Sequence, residues 1–220
     1  MFDRVLYKNQ ARQSLKGNWS SAAIVALFLI AVVVCLGFIT KNFDESSEKS
    51  FSILSAVLHG ITGIAVARFF LIYSISESDT RPTFADFLEG FQHWFTGALA
   101  NLWRLLWLVL WFMCFVIPGF VKMVAYSQLM FILADNPNIG VRKALRLSIV
   151  ITQGYKTEIF CMYLSFLGWL ILGGLTAGIL YVWIIPYIEL TAANAYKYLK
   201  DRALESGIVS HEDFYPEIGE

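Results

Sequence analysis

Two arginines and a glutamate stand where charge is most costly. Arg68, Arg104 and Glu189 each fall inside a long apolar run. A charge at that position in a bilayer marks a binding or translocation site unless a structural partner accounts for it. Counted at about 1.5 Å per residue from the cytoplasmic ends of their runs, the arginines sit about 10 Å in and Glu189 about 12 Å. Arginine reaches back to the interface from that depth by extending its stem, whereas glutamate is too short. Shared depth and opposite charge therefore predict an ion pair of Glu189 with Arg104 or Arg68. The competing reading is a charged lining for a solute pathway. His59, Asn101, Tyr126, Gln128 and Asn194 would extend such a polar interior, or else serve as interhelical hydrogen bonds.

A second set of charges lies outside the apolar runs. Arg142, Lys143 and Arg146 make one face of a segment over 139–153, and Val141, Ala144, Leu145, Ser148 and Ile149 make the other. This spacing predicts an amphipathic helix. Its basic face suits anionic headgroups, at about 1 kcal/mol per basic residue, or the acidic tail described below.

Other chemistry has little foothold. The chain has no HExxH, no GxSxG, no P-loop and no dinucleotide-binding glycine motif. His59, His93 and His211 are scattered, and Cys35, Cys114 and Cys161 lie singly in apolar runs with no CxxC. No catalytic residue, metal centre or cofactor is expected, and nothing points to nucleic acid.

The elements that must position these residues follow from the apolar runs. Of 220 residues, 57% are hydrophobic and 15% charged, against about 25% charged in a typical soluble domain. A bilayer core needs roughly 20 apolar helical residues. The segments 21–39, 51–75, 98–117, 120–134, 157–175 and 177–198 approach or meet this, the fourth being short. They predict an all-α, polytopic transmembrane bundle of about six spans. Pro118-Gly119 separates the third span from the fourth, and Gly173, Gly174 and Gly178 separate the fifth from the sixth. Charge placement agrees. With both termini cytoplasmic, the inner segments hold Arg4, Lys8, Arg12, Lys16, Arg81, Arg142, Lys143, Arg146, Lys156, Lys197, Lys200 and Arg202, against Lys41, Lys49 and Lys122 outside. No small-x-small cleavage site follows the first run, which is expected to remain in the mature chain.

Three regions result: an amphipathic cytoplasmic leader at 1–19, a membrane domain at 20–200, and an acidic tail at 201–220 expected to be mobile. Phe84, Phe87, Leu88, Phe91, Trp94 and Phe95 recur at helical spacing. They predict a short helix that either lies in the interface or extends the third span onto the bundle. Thr83 and Asp86 resemble a capping box at its start. Trp19, Trp94, Trp169 and Trp183 suit interfacial anchoring. Gly174 and Gly178 form a small-xxx-small pair that would let helices approach.

Several stretches also occur in a familiar order. They are Ala11-Arg12-Gln13-Ser14-Leu15-Lys16-Gly17-Asn18-Trp19, Ile117-Pro118-Gly119-Phe120-Val121-Lys122, Tyr126-Ser127 and Ala134-Asp135-Asn136-Pro137. Ser148 and Gly154 follow, then Leu164-Ser165-Phe166-Leu167-Gly168-Trp169, Leu175-Thr176-Ala177-Gly178-Ile179 and Ile185-Pro186-Tyr187. In this order and spacing the chain resembles the bacterial membrane-protein family catalogued as domain of unknown function 975, over nearly its whole length apart from 38–79. The resemblance implies a fold and a bacterial membrane location, and no activity.

The expected function is a non-catalytic one, exerted through contacts with the bilayer and with another membrane protein, a membrane-active peptide or lipid. The many aromatic interfacial surfaces favour it. The alternative is a small-solute or lipid transporter or channel using Arg68, Arg104 and Glu189. A dry bundle favours the first reading; a vestibule reaching Glu189 favours the second.

Overall fold

The computed structural model describes residues 2–43, 47–76 and 81–215. Glu217 and Glu220 of the tail and the side chain of Lys49 lie outside the described part. Every regular element within it is helical. Five stretches there are long and apolar enough to cross a membrane: Trp19–Lys41, Leu54–Ile75, Phe84–Cys114, Val116–Asp135 and Lys156–Leu175. Large side chains such as Val34, Phe38, Leu102 and Ile117 stand exposed on them. Apolar area of that extent is stable only against lipid or a partner. The protein is a polytopic membrane helix bundle.

The leader forms α1 (Arg4–Leu15), started by Asp3, whose Oδ1 accepts the Val5 and Leu6 backbone N–H groups at 2.8 and 3.1 Å. Tyr7, Ala11 and Leu15, spaced by one helical turn, are buried. They pack on the last long helix, and Phe2 closes the end against Tyr7, Tyr155 and Tyr198. Gly17, at φ +84°, turns the chain into α2 (Trp19–Phe43), which is followed by α3 (Ser47–Ile75).

The aromatic segment after 83 extends the third span. The capping box forms, with the Thr83 N–H donating to Asp86 Oδ2 at 2.6 Å. From there α4 (Phe84–Glu89), a 3-10 turn and α5 (Trp94–Cys114) follow one another. Phe87 is fully buried against Phe28, Phe69 and Phe91, while Leu88, Trp94 and Phe95 face outward.

The expected break between the third and fourth spans is present, at Phe115. Its backbone is extended, and Pro118 lies in the first turn of α6 (Val116–Ala125). The fourth span continues through a break at 126–128 into α7 (Leu129–Asp135). Asn136 ends it, and its side chain caps the following 3-10 turn by accepting the Asn138 N–H at 3.0 Å. The predicted basic helix is α8 (Val141–Ile151), with Ala144, Leu145, Leu147, Ser148 and Ile151 buried. It is thus packed into the bundle on one side. The fifth span is also broken, into α9 (Lys156–Leu164) and α10 (Leu167–Leu175).

A turn at Ala177 and Gly178, both at positive φ, leads into α11 (Tyr181–Glu205). This is the expected sixth span. It is long enough, yet it is absent from the five apolar stretches because Glu189, Asn194 and Lys197 make it too polar; it is the central strut of the fold. Positions 190–196 are buried without interruption, and the helix packs on α1, α2 and α3. Ala192, Ala193 and Ala195 allow those close approaches. Gly174 and Gly178 do not mediate a helix crossing as expected, since a Cβ on either meets only the nearby Tyr181 ring. The close crossings are elsewhere, between α3 and the α4–α5 segment. A Cβ on Gly60 would lie 2.9 Å from Asn101 Cβ, and one on Gly97 would overlap the Gly60 carbonyl oxygen.

The tail corrects a second expectation. Its described part, up to Tyr215, folds back as a short helix, α12 (His211–Phe214), with Val209 and Phe214 buried. Asn136 Nδ2 donates to the Phe214 carbonyl at 2.7 Å. The Asp135 carboxylate accepts from Tyr196 and Tyr215 hydroxyls, each at 3.0 Å, and from Lys200 Nζ. Two apolar anchors inside an acidic run therefore dock a segment that composition alone marks as solvated.

Candidate functional site

The three intramembrane charges separate. Arg68 on α3 pairs with Glu89 of α4, at 3.5 Å. Because 84–93 runs along α3 instead of lying apart from it, Glu89 is the nearer acid, and Arg68 is not the partner of Glu189. Arg104 and Glu189 do come together, as opposite parts of one cavity, but no ion pair joins them among the described residues. The expected Glu189–arginine pair is therefore not formed.

The cavity measures about 400 Å³ and is built by α2, α3, α5, α7, α9 and α11. Leu29, Val32 and Val33 of α2 supply an apolar wall. Ser55, His59 and Thr62 of α3 lie at one-turn spacing and supply a polar one. Arg104 points in from α5, Tyr163 from α9 and Glu189 from α11. Arg104 Nη2 donates to Asn101 Oδ1 at 2.6 Å, and Asn101 Nδ2 donates to the Ala56 carbonyl of α3 at 2.7 Å. The guanidinium is thus oriented by a neutral amide that also ties α5 to α3. Its Nε is buried without a hydrogen-bond partner. Tyr163 stands within electrostatic reach of both Arg104 and Glu189 and contacts the Ser127 side chain. His59 is within reach of Arg104.

The broken fourth span explains how Ser127 arrives there. Residues 126–128 leave the helix, which frees a carbonyl at Ala125. Ser148 of α8 donates to that carbonyl at 2.7 Å. Non-helical backbone inside a membrane is tolerated where protein covers it or where it lines a cavity, and both conditions hold here. Ser127, Met130 and Phe131 then face the cavity. The remaining polar candidates go elsewhere. Gln128 is fully buried and donates to Ser127 Oγ at 2.9 Å, Tyr126 faces the opposite side, and Asn194 reaches the Tyr7 carbonyl at 3.4 Å. Ser127 and Tyr163 were not among the sequence candidates; the hydroxyl in the Tyr126-Ser127 stretch was the one available sign.

The basic face of α8 divides as well. Arg142 lies over the Trp103 ring, 5.2 Å from its centroid. Lys143 reaches the tail, 3.7 Å from Asp213 Oδ1 and 3.4 Å from the Glu212 carbonyl. That pair is exposed and contributes little on its own. Arg146 lines the hollows on either side of the helix. No cluster of three His, Cys, Asp or Glu side chains suited to a metal ion stands among the described residues.

The cavity offers a guanidinium, a carboxylate, an imidazole and four hydroxyls beside an apolar wall. These groups provide both charge and hydrogen-bonding capacity facing one hollow. No curated protein and no solved structure matches the chain. The family model that does match is described as Protein of unknown function (DUF975), over residues 100–203, a segment that holds Arg104, Ser127, Tyr163 and Glu189 but not the leader stretch 11–19. Over that segment, from within α5 to near the end of α11, the chain is similar to that family.

Proposed function

We propose that the protein is a non-catalytic, multi-pass membrane protein that takes a small solute or lipid into the central cavity, as a transporter or channel does. The observation that carries this is the meeting of Arg104, Tyr163 and Glu189, from three separate helices, in one hollow with no ion pair between the charges. Charges left apart around a cavity are free to pair with a ligand. A volume of about 400 Å³ is within the range of small-molecule sites, roughly 300–1,000 Å³. The fitting ligand carries an anionic group for Arg104, a donor for Glu189 and an apolar body for α2.

The other reading, action through contacts with a membrane protein or membrane-active peptide, loses part of its motive. Phe84 and Phe87 are engaged by Phe28, and Phe2 by Tyr7 and Tyr198. Those aromatic faces are used within the molecule. The location we propose is a bacterial cell membrane with both termini cytoplasmic. The family resemblance and the basic leader, α8 and α11 end support it.

Thermal stability in the presence of small zwitterionic, anionic and lipid-like compounds tests the reading. A ligand at 100 times its Kd stabilises by about 2.7 kcal/mol. A compound that raises the Tm of the native chain is expected to lose that effect in Arg104→Gln and in Glu189→Gln. A ligand whose effect survives both substitutions contradicts the reading.

A further inference from the structure

A second hollow lies on the outside of the bundle, where α5, α6 and α8 meet, with a volume of about 270 Å³. Trp103, Trp107 and Trp111 follow one another at one-turn spacing on α5 and form its floor. Three cations stand over that floor. Arg142 lies over Trp103 at 5.2 Å and Lys122 over Trp111 at 4.8 Å, and Arg146 lines the same wall. Lys122, assigned to the far side by charge placement, thus shares one groove with the α8 arginines.

None of these cations has a carboxylate partner. The ion pairs among the described residues are Arg68–Glu89, Lys143–Asp213 and Lys200–Asp135. Asp213, which lines the neighbouring hollow, is held by Lys143 and by the Ser210 N–H and hydroxyl. The tail therefore neutralises the lysine beside the groove and leaves the groove itself positive. The far face of α8 is buried, and Ser148 ties it to Ala125, so the arginines are carried on a fixed element. The floor continues into Leu102, Leu106 and Leu110, which are exposed on α5 and face lipid.

We propose that this groove is a binding site for an acidic phospholipid. Its phosphate is held between Arg142 and Arg146 at the Trp103 end, and one acyl chain lies along the tryptophan stripe toward Trp111. Guanidinium groups match phosphate oxygens in geometry as well as charge. Basic hollows between membrane helices take such headgroups. The tryptophans make a soluble anion the poorer fit, because they give the site an apolar half that only a chain covers. This site is separate from the central cavity, and neither proposal depends on the other.

Tryptophan quenching by brominated lipid tests it on the full chain in vesicles. Brominated phosphatidylglycerol is compared with brominated phosphatidylcholine at equal mole fraction. The phosphatidylglycerol is expected to be preferred on the order of tenfold, and Arg142→Gln or Arg146→Gln to reduce the preference about fivefold each. Lys16→Gln, in the turn after α1 and away from the groove, should leave it unchanged. Equal quenching by the two lipids overturns the proposal on the native chain alone, whatever the folding of the variants. So does an undiminished preference in the Arg142→Gln, Arg146→Gln double variant. Loss of the preference on adding inorganic phosphate at matched ionic strength would show a site for the free anion and also overturns it.

Discussion

Gly97→Val should be among the most damaging single substitutions in this protein. The α3–α5 crossing is the most extensive helix contact in the fold. At its centre a Cβ on Gly97 runs into the Gly60 carbonyl oxygen and then into Ile64. The obstacle is main chain, which cannot rotate away as a side chain does. Overpacking a core with one or two carbons typically costs about 1–3 kcal/mol; with backbone as the obstacle we expect about 3 kcal/mol or more by the same reasoning. The strain should also reach the cavity, because Asn101, one turn further along, links Arg104 to α3. The measurement is Tm in detergent. Gly168→Ala is the control, since nothing lies within 4 Å of its added Cβ, and helix propensity makes it neutral or slightly stabilising. A Gly97→Val protein as stable as that control contradicts the crossing.

Asp135→Ala should cost a similar amount for a different reason. Asp135 and Lys200 are largely buried, at 23% and 16% side-chain exposure. The carboxylate also accepts from two tyrosine hydroxyls. Alanine leaves a buried ammonium and two hydroxyls short of a partner, typically about 3–5 kcal/mol for a buried pair broken on one side. The observable is specific: residues 207–215 should become protease-sensitive, because Tyr215 and Lys200 hold α12 in place. Burial alone would lower the Lys200 ammonium. Its hydrogen bonds to Asp135 and Tyr215, with their charges, raise it overall. A folded value above the ordinary one, about 10.4, gives stability that is complete below that pH and lost as pH rises through the folded value. Tail protection should therefore hold from neutrality to about pH 10 and fall above it. Protection that is unchanged in Asp135→Ala would contradict the docking.

What the sequence made legible depended on where each constraint resides. The separations at Phe115 and at 176–180 were readable because Pro118, Gly119, Gly174 and Gly178 announce them locally. The breaks within the fourth and fifth spans were not. Tyr126-Ser127-Gln128 and Ser165-Phe166 hold no glycine or proline, and the first is supported by Ser148, 23 residues away. Counting along a helix gives a charge its depth but not its direction around the axis. Arg104 and Glu189 therefore share one cavity without an ion pair, and Arg68, grouped with them, turns to Glu89. The aromatic segment at 84–95 allowed two placements, and only its packing on Phe28 and Phe69 decides between them. Gly60 and Gly97 escaped notice because their meaning lies in the partner helix.

The proposed function requires a central cavity that a solute can enter. Its most direct test is thiol accessibility at Ser127, in a chain whose Cys35, Cys114 and Cys161, all free, are replaced. Ser127→Cys should react with a small charged, membrane-impermeant methanethiosulfonate applied to the native protein in membranes. Bound ligand should slow that reaction. Ala193→Cys, at a fully buried position of α11, should stay unmodified. Reaction at position 127 but not at 193 is the predicted result; a position 127 as inert as 193 would mean a closed, dry interior and would contradict the proposed function.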